Sequence, residues 1–540
     1  MFKNKKKDTP ESVLEDAQNI ELTVENIQEE LELPDSIKSY VKVLPIESSD
    51  GWEVVIYVSK DQVNKAEIKS PIRQIQLRAS QLNIKTIVEP VTLEELHTIN
   101  TNDKEEARKA IASRTRIQKK AKDLFSSAAQ QDASDIHISI EERTARVKYR
   151  IHGLLKEEAQ WNPLEADQFI STVYTTMCDV SDSYFNRTIA QNARISSREY
   201  LPNSVFGVRV ATSQQTEGLY VVFRLLYQQK DIDNLEIEQL GYTTRDMNII
   251  EKMKQKPTGI NIIVGSTGSG KSTTLQLVLS KIIKETSGQK NVITVEDPPE
   301  YPIKGAIQIP VANAKGDIER KDKFNQAITA AMRLDPDIIM LGEMRDEASS
   351  KLGLRAAMTG HQVWTTLHAN SVFGALDRLI DYDISLDMLA DPMILTGIIY
   401  QTLVQTLCND CKIPLSSINL DDKENIKIKQ CLDRLSYIAK EEGRENDYLN
   451  NIHIRGKGCP KCNSGPHGVI GRTVVAEILY PDEKILEMIR KNKKEEAREY
   501  WLKVLKGKPV SYQAGILSME GNVDPIMAED KVGFFHTSND

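Results

Sequence analysis

The 540-residue chain has no run of about 18 or more consecutive apolar residues, which excludes a membrane-spanning helix on length. Its most apolar stretch, Pro392 to Tyr400, is far too short and is interrupted by Thr396 and Gly397. The basic opening MFKNKKKD is not followed by the apolar segment that a secretory signal needs. These two absences predict a cytoplasmic protein, although such a chain can still dock on a membrane complex. There is no excess of positive charge: 70 Lys and Arg stand against 78 Asp and Glu, a net charge of −8. Global electrostatics therefore give no support to a non-specific nucleic-acid binder, and no nucleic-acid partner is expected. Cysteine is scarce, and six in 540 residues do not make a secreted disulfide framework. Internal repeats and low-complexity tracts are missing as well. What is present, 40% hydrophobic and 27% charged residues, is ordinary for a globular protein and too apolar for a wholly disordered one. The length suggests about three to four domains.

The first 35 residues are polar and acidic beyond the initial lysines, with one amphipathic helix expected around Val24 to Leu33. Trp52 to Ser59 is β-branched and aromatic and predicts a strand; Gln74 to Leu82 predicts a helix and Ile84 to Val88 another strand. Thr92 with Glu95 forms a capping box opening a further helix. Lys104 to Gln131 has helical spacing. Asp135 to Ser139 and Thr144 to Ile151 read as a hairpin, and Val205 to Thr212 with Leu219 to Leu226 as another strand pair. Lys230 to Glu238 reads as a linker. From Gly241 strands and helices alternate as in a parallel sheet with crossover helices. A charged helical stretch is expected over Asp482 to Val504.

An apolar strand, Ile260 to Val264, runs into Gly265, Ser266, Thr267, Gly268, Ser269, Gly270, Lys271 and Ser272, and a helix is expected over Thr273 to Ile283. This is a complete GxxxxGKS P-loop in its strand–loop–helix setting. Its glycines let backbone N–H groups turn inward around phosphates, Lys271 brings charge to the β- and γ-phosphates, and the Ser272 hydroxyl can ligate Mg²⁺. A P-loop needs a second strand bearing acid. Asp337 to Leu341 is such a strand, and Glu343 is the single acid at its end, able to polarise water or simply to cap a solvated turn. Glu296, Asp297 and Glu300 follow the strand Asn291 to Val295; they can hold metal, orient water or make an ordinary proline-rich turn. His361 and His368 flank the strand Gln362 to Leu367, where a histidine is as often structural as functional.

These segments occur in the order of the secretion ATPase superfamily, and the chain resembles its type II secretion and type IV pilus assembly ATPases. The P-loop, TVEDPPE, MRLDPDIIMLGEMRD and TGHQVWTTLHANS match that family's Walker A, Asp box, Walker B and His box. Ala133 to Ile138, Arg146 to Gly153, Phe206 to Val210, Val221 to Leu226, Gly458 to Cys462 and Gly471-Arg472 resemble further family segments, so the likeness spans about residues 105 to 480. Two departures, His152 in place of Asp and Ala190 to Ala193 in place of Pro-Gln-Asp-Gly, suggest a divergent branch such as pili of the second type IV class. The resemblance implies Glu343 as general base, Glu300 assisting it, and Glu296 and Asp297 near the Mg²⁺ and water shell. It implies that His361 and His368 couple the phosphate site to its neighbours. It also implies that Arg150, Arg209 and Arg224 reach the γ-phosphate from a separate module, so that closure of one module on the other completes the site.

Cys408 with Cys411 and Cys459 with Cys462 form two CxxC knuckles whose four soft ligands suit a closed, structural tetrahedral Zn²⁺ site; Cys431 and Cys178 read as bystanders. In the resembled family this module marks assembly and secretion motors rather than retraction motors. The expected fold is α/β: an N-terminal arm and docking module (1–103), a PAS-like domain (104–228), a linker (229–240), a RecA-like ATPase core (241–402), a tetracysteine zinc module (403–480) and a C-terminal helical region (481–540). The expected function is a Mg²⁺-dependent ATPase driving type IV pilus assembly, a homohexamer docked through an inner-membrane platform protein and so peripheral to the membrane. Alternatives are a motor for type II secretion or DNA uptake, which share the chemistry, and a nucleotide-gated scaffold without turnover, which the presence of Lys271, Glu300 and Glu343 argues against.

Overall fold

The computed structural model describes residues 23–48, 51–59, 62–63, 65–82, 84–91, 93, 96, 104–179, 185–227, 235–297, 299, 301–311, 317–422, 425–462 and 467–535, with side chains not described over 104–114. The expected Thr92–Glu95 capping box and Glu300 lie outside the described residues.

The N-terminal sheet is β1 (Val41–Ser48), β2 (Gly51–Ser59) and β3 (Lys85–Val91). β2 is central, antiparallel to β1 and parallel to β3, and a helix over Ala66–Gln81 makes the crossover. That helix begins eight residues earlier than expected, and Pro71 lies inside it. Proline there removes one backbone donor without breaking the helix, whose apolar side, Ile68, Ile72 and Ile75, is buried. The helix near the N-terminus covers Val24–Glu30.

The second sheet holds six antiparallel strands in the order β6-β5-β4-β9-β8-β7: β4 (Ala133–Ile140), β5 (Ala145–Ile151), β6 (Leu154–Trp161), β7 (Gln191–Ile195), β8 (Val205–Gln215) and β9 (Gly218–Tyr227). Helices Lys104–Gln130 and Pro163–Met177 cover one face, where Phe125, Phe169 and Phe223 meet edge to face. The alternation of a strand leaves the opposite face polar, and Arg150, Arg209 and Arg224 stand on it. The β5–β6 turn is the two-residue His152-Gly153, with φ of 49° and 85°, a backbone that a tight hairpin requires. His152 occupies a left-handed position that Asp, His and Asn tolerate better than most residues.

The third sheet orders as β12-β11-β13-β14-β10-β15-β18. Its strands are β10 (Gly259–Val264), β11 (Val292–Glu296), β12 (Ile307–Pro310), β13 (Ile338–Leu341), β14 (Gln362–Leu367) and β15 (Leu395–Leu407), all parallel. The short β16 (Ile413–Pro414) and β17 (His453–Ile454) pair within an insert built around the helix Ile426–Glu441, and β18 (Val469–Leu479) then returns antiparallel to β15. β15 thus crosses residue 403 and β18 lies within 403–480, so the core sheet draws a strand from the stretch that carries the cysteines. Both faces of the sheet are covered. Ile260, Ile262 and Val264 of β10 face one apolar cluster and Ile263 the other; Ile339 and Leu341 of β13 oppose Ile338 and Met340 in the same way. This mixed α/β architecture is RecA-like.

The charged stretch Asp482 to Val504 is two helices, Glu483–Arg490 and Lys494–Lys503, not one. Asn492, at φ 55°, turns the chain between them. Both pack on the core sheet: Ile485, Leu486, Ile489, Trp501 and Leu502 belong to its first cluster. A later helix, Val510–Met519, packs on the insert helix through Tyr512 and Ala514. Where these parts meet, the Glu477 carboxylate of β18 accepts from the Val372 N–H at 3.4 Å and the Val510 N–H at 3.3 Å. One half-buried acid therefore sits at the first turns of two helices.

Burial pushes the Glu477 carboxyl up from 4.5 to about 7, while the two N–H groups and Arg498 pull it down by less. A group whose folded pKa is raised favours the fold fully below its unfolded value, and that contribution is lost as pH rises through the folded one. Glu477→Gln removes this dependence. The difference in Tm between variant and wild type should move in favour of the variant as pH rises from 4.5 through about 7, followed by thermal melts across that range.

Candidate functional site

Parallel strands present their C-terminal ends along one edge, and the chain's acids and P-loop follow four of those ends. β10 leads into Gly265, β11 ends in Glu296, β13 leads to Gly342 and Glu343, and β14 to His368. In the P-loop, Lys271 Nζ donates to the carbonyls of Gly265 at 2.7 Å and Ser266 at 3.0 Å. Gly270, at φ 86°, is the N-cap of the helix Lys271–Glu285. Gly268 has φ 79° and open space where a Cβ would stand, so a ligand can approach its backbone closely. The loop is held from behind: Gln401 of β15 donates to Ser269 O at 2.8 Å, and its Oε1 accepts from the Tyr242 hydroxyl at 2.6 Å. Tyr242 also lies 3.2 Å from Thr274 Oγ1, and both are buried.

Glu343 is fixed through both oxygens, with His368 Nε2 3.0 Å from Oε1 and Arg345 Nε donating to Oε2 at 2.8 Å. Burial and the nearby Lys271 charge hold the His368 imidazole below its ordinary 6.5. Arg345 also reaches Asp297 Oδ2 at 2.9 Å, and Arg320 takes Asp297 Oδ1 at 2.9 Å. Glu296 accepts from Thr294 Oγ1 at 2.7 Å and Gln308 Nε2 at 2.9 Å.

The polar face of the second sheet forms the other wall. A cavity of about 970 Å³ is lined on one side by Thr267 to Thr273, Glu296, Asp297, Glu343 and His368, and on the other by Arg150, Arg209 and Arg224. Its volume lies in the range of small-molecule pockets, and its lining offers amide, ammonium and guanidinium donors suited to phosphates. The two walls touch at their rim, where Gln405 of β15 donates to His152 O at 3.4 Å and the rings of Phe206 and Tyr301 lie 6.4 Å apart.

His361 is placed elsewhere. It precedes β14 whereas His368 follows it, a separation of about 20 Å at the rise of an extended strand. Its Nδ1 lies 3.0 Å from Ala356 O and 3.1 Å from Thr359 Oγ1, at the end of the helix Glu347–Met358, so within this chain it does not touch the phosphate loop. Arg150 and Arg224 are also engaged locally, with Asp135 between them. Sequence reasoning gave no role to Tyr242, Gln401, Arg345 or Arg472, although Arg345 and Arg472 stand inside quoted motifs. Arg472 of β18 lines the same cavity. Tyr242 and Gln401 carried no local signal, since they meet only through the fold.

The profile of the family described as "Type II/IV secretion system protein" matches residues 110–520. The chain belongs to this family. It is 33% identical over 377 residues to the "Type II secretion system ATPase E" of Vibrio cholerae, an alignment covering 70% of this chain and 67% of that protein. It is 34% identical to the "Putative type II secretion system protein E" of Escherichia coli (strain K12), covering 70% and 69%. The solved structure of the Yersinia pseudotuberculosis ATPase DotB shares the fold, with a TM-score of 0.50 at 20% identity, over 76% of this chain and 92% of that one. Among the described residues no helix is long and apolar enough to cross a membrane.

The family member's cysteines gather as their spacing suggests. The sulfurs of Cys408, Cys411, Cys459 and Cys462 lie within 4.8 Å of one another. Sγ–Sγ separations are 3.6 Å for Cys408–Cys459, 3.7 Å for Cys411–Cys462 and 3.8 Å for Cys459–Cys462. Backbone N–H groups of Cys459 and Gly468 point at the Cys462 sulfur at 3.2 and 3.3 Å. Cys431 is apart, buried against the C-terminal helices, and Cys178 packs against the second sheet's core.

The Tyr242–Gln401 contact is testable by Tyr242→Phe, which keeps the ring and removes the hydroxyl. The buried Gln401 Oε1 is then left without its donor, so the variant should lose about 1–3 kcal/mol in chemical denaturation and bind nucleotide more weakly by titration.

Proposed function

We propose that this chain is a Mg²⁺-dependent ATPase motor driving type IV pilus assembly, acting as a homohexamer docked on an inner-membrane platform protein from the cytoplasmic side. The observation that carries the reading is a single cleft with a phosphate cradle on one wall and guanidinium groups on the other. Residues 265–273 bind the phosphates through backbone N–H groups, and Lys271 exchanges its carbonyl contacts for phosphate oxygens. Mg²⁺, when bound, neutralises charge on the transferring group; the Ser272 hydroxyl would hold it, with Glu296 and Asp297 in its water shell. The side-chain partners of those two acids fix their orientation, which fits that role. Glu343 is the base that orients the attacking water, with Glu300 assisting. His368 and Arg345 hold its carboxylate in place, and the neutral imidazole supplies a hydrogen bond without adding charge. Arg150, Arg209 and Arg224 meet the γ-phosphate from the opposite wall. Phosphate charge draws the walls together and its loss lets them part, which converts hydrolysis into movement of the second sheet against the core. His361, on the other edge of the core sheet, is assigned to capping the helix before it.

The four cysteines fit zinc. Tetrahedral Zn–S bonds of about 2.3 Å set sulfurs about 3.8 Å apart, close to the separations given above and far beyond a disulfide. The ion would be structural, tying the strand end at Cys408 to the segment that leads into β18. The domain reading is 1–103 for docking, 104–228 as a PAS-like wall, 229–240 as linker, a core that extends from 241 through β15 and takes in β18, a zinc module made of the insert between those two strands, and 481–540 as the C-terminal region.

A second reading, type II protein secretion, is favoured by the names of the two relatives described. Glu343→Gln tests both. ATP affinity should be retained and phosphate release should fall about a hundredfold or more, since the amide keeps the shape and loses the base. In cells the same change should abolish surface pili and leave protein secretion intact; the reverse pattern supports the second reading. For the zinc site, metal analysis of protein purified without chelator should give one zinc per chain, and Cys459→Ser should release it and lower Tm.

A further inference from the structure

The register of the second sheet puts four arginines and one aspartate in a single cross-strand row. Arg150 of β5 opposes Asp135 of β4, Asp135 opposes Arg224 of β9, Arg224 opposes Arg209 of β8, and Arg209 opposes Arg194 of β7. Residues directly opposed across antiparallel strands share a face. Asp135 is the only acid in the row, and its side chain is 6% exposed. Arg224 Nε donates to its Oδ1 at 2.8 Å, Arg150 Nε stands 4.0 Å from Oδ2, and the Ser134 hydroxyl donates to Oδ2 at 2.7 Å. The β4–β5 register skips Ser134, a bulge that re-aims the strand beside the cavity. Arg150 is steadied further by donating to Gly153 O at 3.0 Å.

A carboxylate on the wall of a phosphate cleft works against anion binding. It repels phosphate, and it occupies the donors that phosphate would use. Its placement has a function if the arginines must be given up as well as taken. A carboxylate and a phosphate oxygen are alternative partners for one guanidinium, and the Arg224 side chain, 44% exposed, is free to turn between them. We propose that Asp135 is a positioning residue, an internal carboxylate that holds Arg224 and Arg150 when the γ-phosphate is absent and competes with it when present. Release of product is then driven by Asp135 taking the arginines back, with Ser134 keeping its carboxylate aimed. This rests on the reading above that the arginines meet the γ-phosphate.

The test uses the full chain and measures equilibrium affinity for a non-hydrolysable MgATP analogue and for MgADP, and KM and kcat for phosphate release from MgATP. Asp135→Asn removes the competing charge. A non-hydrolysable MgATP analogue should bind about tenfold tighter while MgADP affinity changes little, KM should fall by a similar factor, and kcat should fall because the released phosphate leaves slowly. A residue that only braces the sheet would give weaker binding, or a lower Tm with unchanged affinity per folded protein; unchanged or weakened binding of the MgATP analogue overturns the proposal. If Asp135→Asn does not fold, Ser134→Ala replaces it. That change should tighten the MgATP analogue and lower KM about twofold, and no change in either overturns the proposal equally. Arg224→Ala separates the two levels. If it lowers turnover per folded protein while Asp135→Asn leaves affinity for the MgATP analogue unaltered, the exchange is wrong and the arginine reading stands. If Arg224→Ala turns over normally, the arginine reading falls and the exchange with it.

Discussion

Everything in the cleft depends on one constraint: the core strands β10 to β15 run parallel, so their C-terminal ends share one edge. A parallel strand cannot be followed by a tight hairpin and must be followed by a crossover, so each strand end is the start of a loop. Four loops at that edge deliver the P-loop, Glu296 with Asp297, Glu343 and His368, from stretches that span more than a hundred residues of sequence. The same constraint explains why His361 stands apart. It is one residue before its strand rather than one after it, and in a parallel sheet that difference is the whole length of the strand.

The second sheet is built on the opposite principle and supplies the opposite charge. Its antiparallel strands put alternate residues on alternate faces, so one set packs under the two covering helices and the other is left to line the cavity. Aligned cross-strand pairs then turn isolated arginines, scattered from residue 150 to residue 224, into a continuous row. A row of like charges is unfavourable by itself, and one embedded carboxylate makes it tolerable while also setting which arginines are engaged. The acids of the core edge are likewise each tied by a cation or a hydrogen-bond donor, Arg345 serving two of them. The cleft is therefore pre-charged on both walls and internally balanced.

The P-loop, the acid-bearing strand ends and the cysteine knuckles were legible in the sequence because each is a local pattern with a local cause. The buried strands β10, β11, β13 and β14 were legible for the same reason, being short apolar runs. Two of the strands that escaped notice sit at sheet edges. β1 contains Pro45, which counts against a strand in the interior but is tolerated at an edge. β6, with the sequence LLKEEAQW, is the outermost strand of its sheet and half exposed along its length, so it carries no apolar signature. The helix over Ala66–Gln81 was expected only from Gln74 onward, and the eight residues missed at its start include Pro71. Tyr242 and Gln401 could not be read at all. A tyrosine and a glutamine 159 residues apart become partners only when β15 is laid beside β10.

The antiparallel return of β18 has a consequence for synthesis. β15 spans 13 residues and is bordered on one side by β10 as soon as the parallel strands assemble, but its other border is completed only by Val469–Leu479, after the insert has been made. During translation the nascent core therefore exposes a long, largely apolar strand edge, the kind of template that other chains can pair with. The aromatic cover of Trp501, which donates to Ile478 O at 3.0 Å, arrives later still. A chain arrested or cleaved between residues 407 and 469 keeps its phosphate loop and loses the border of the strand that props it, and so favours aggregation over a smaller working motor.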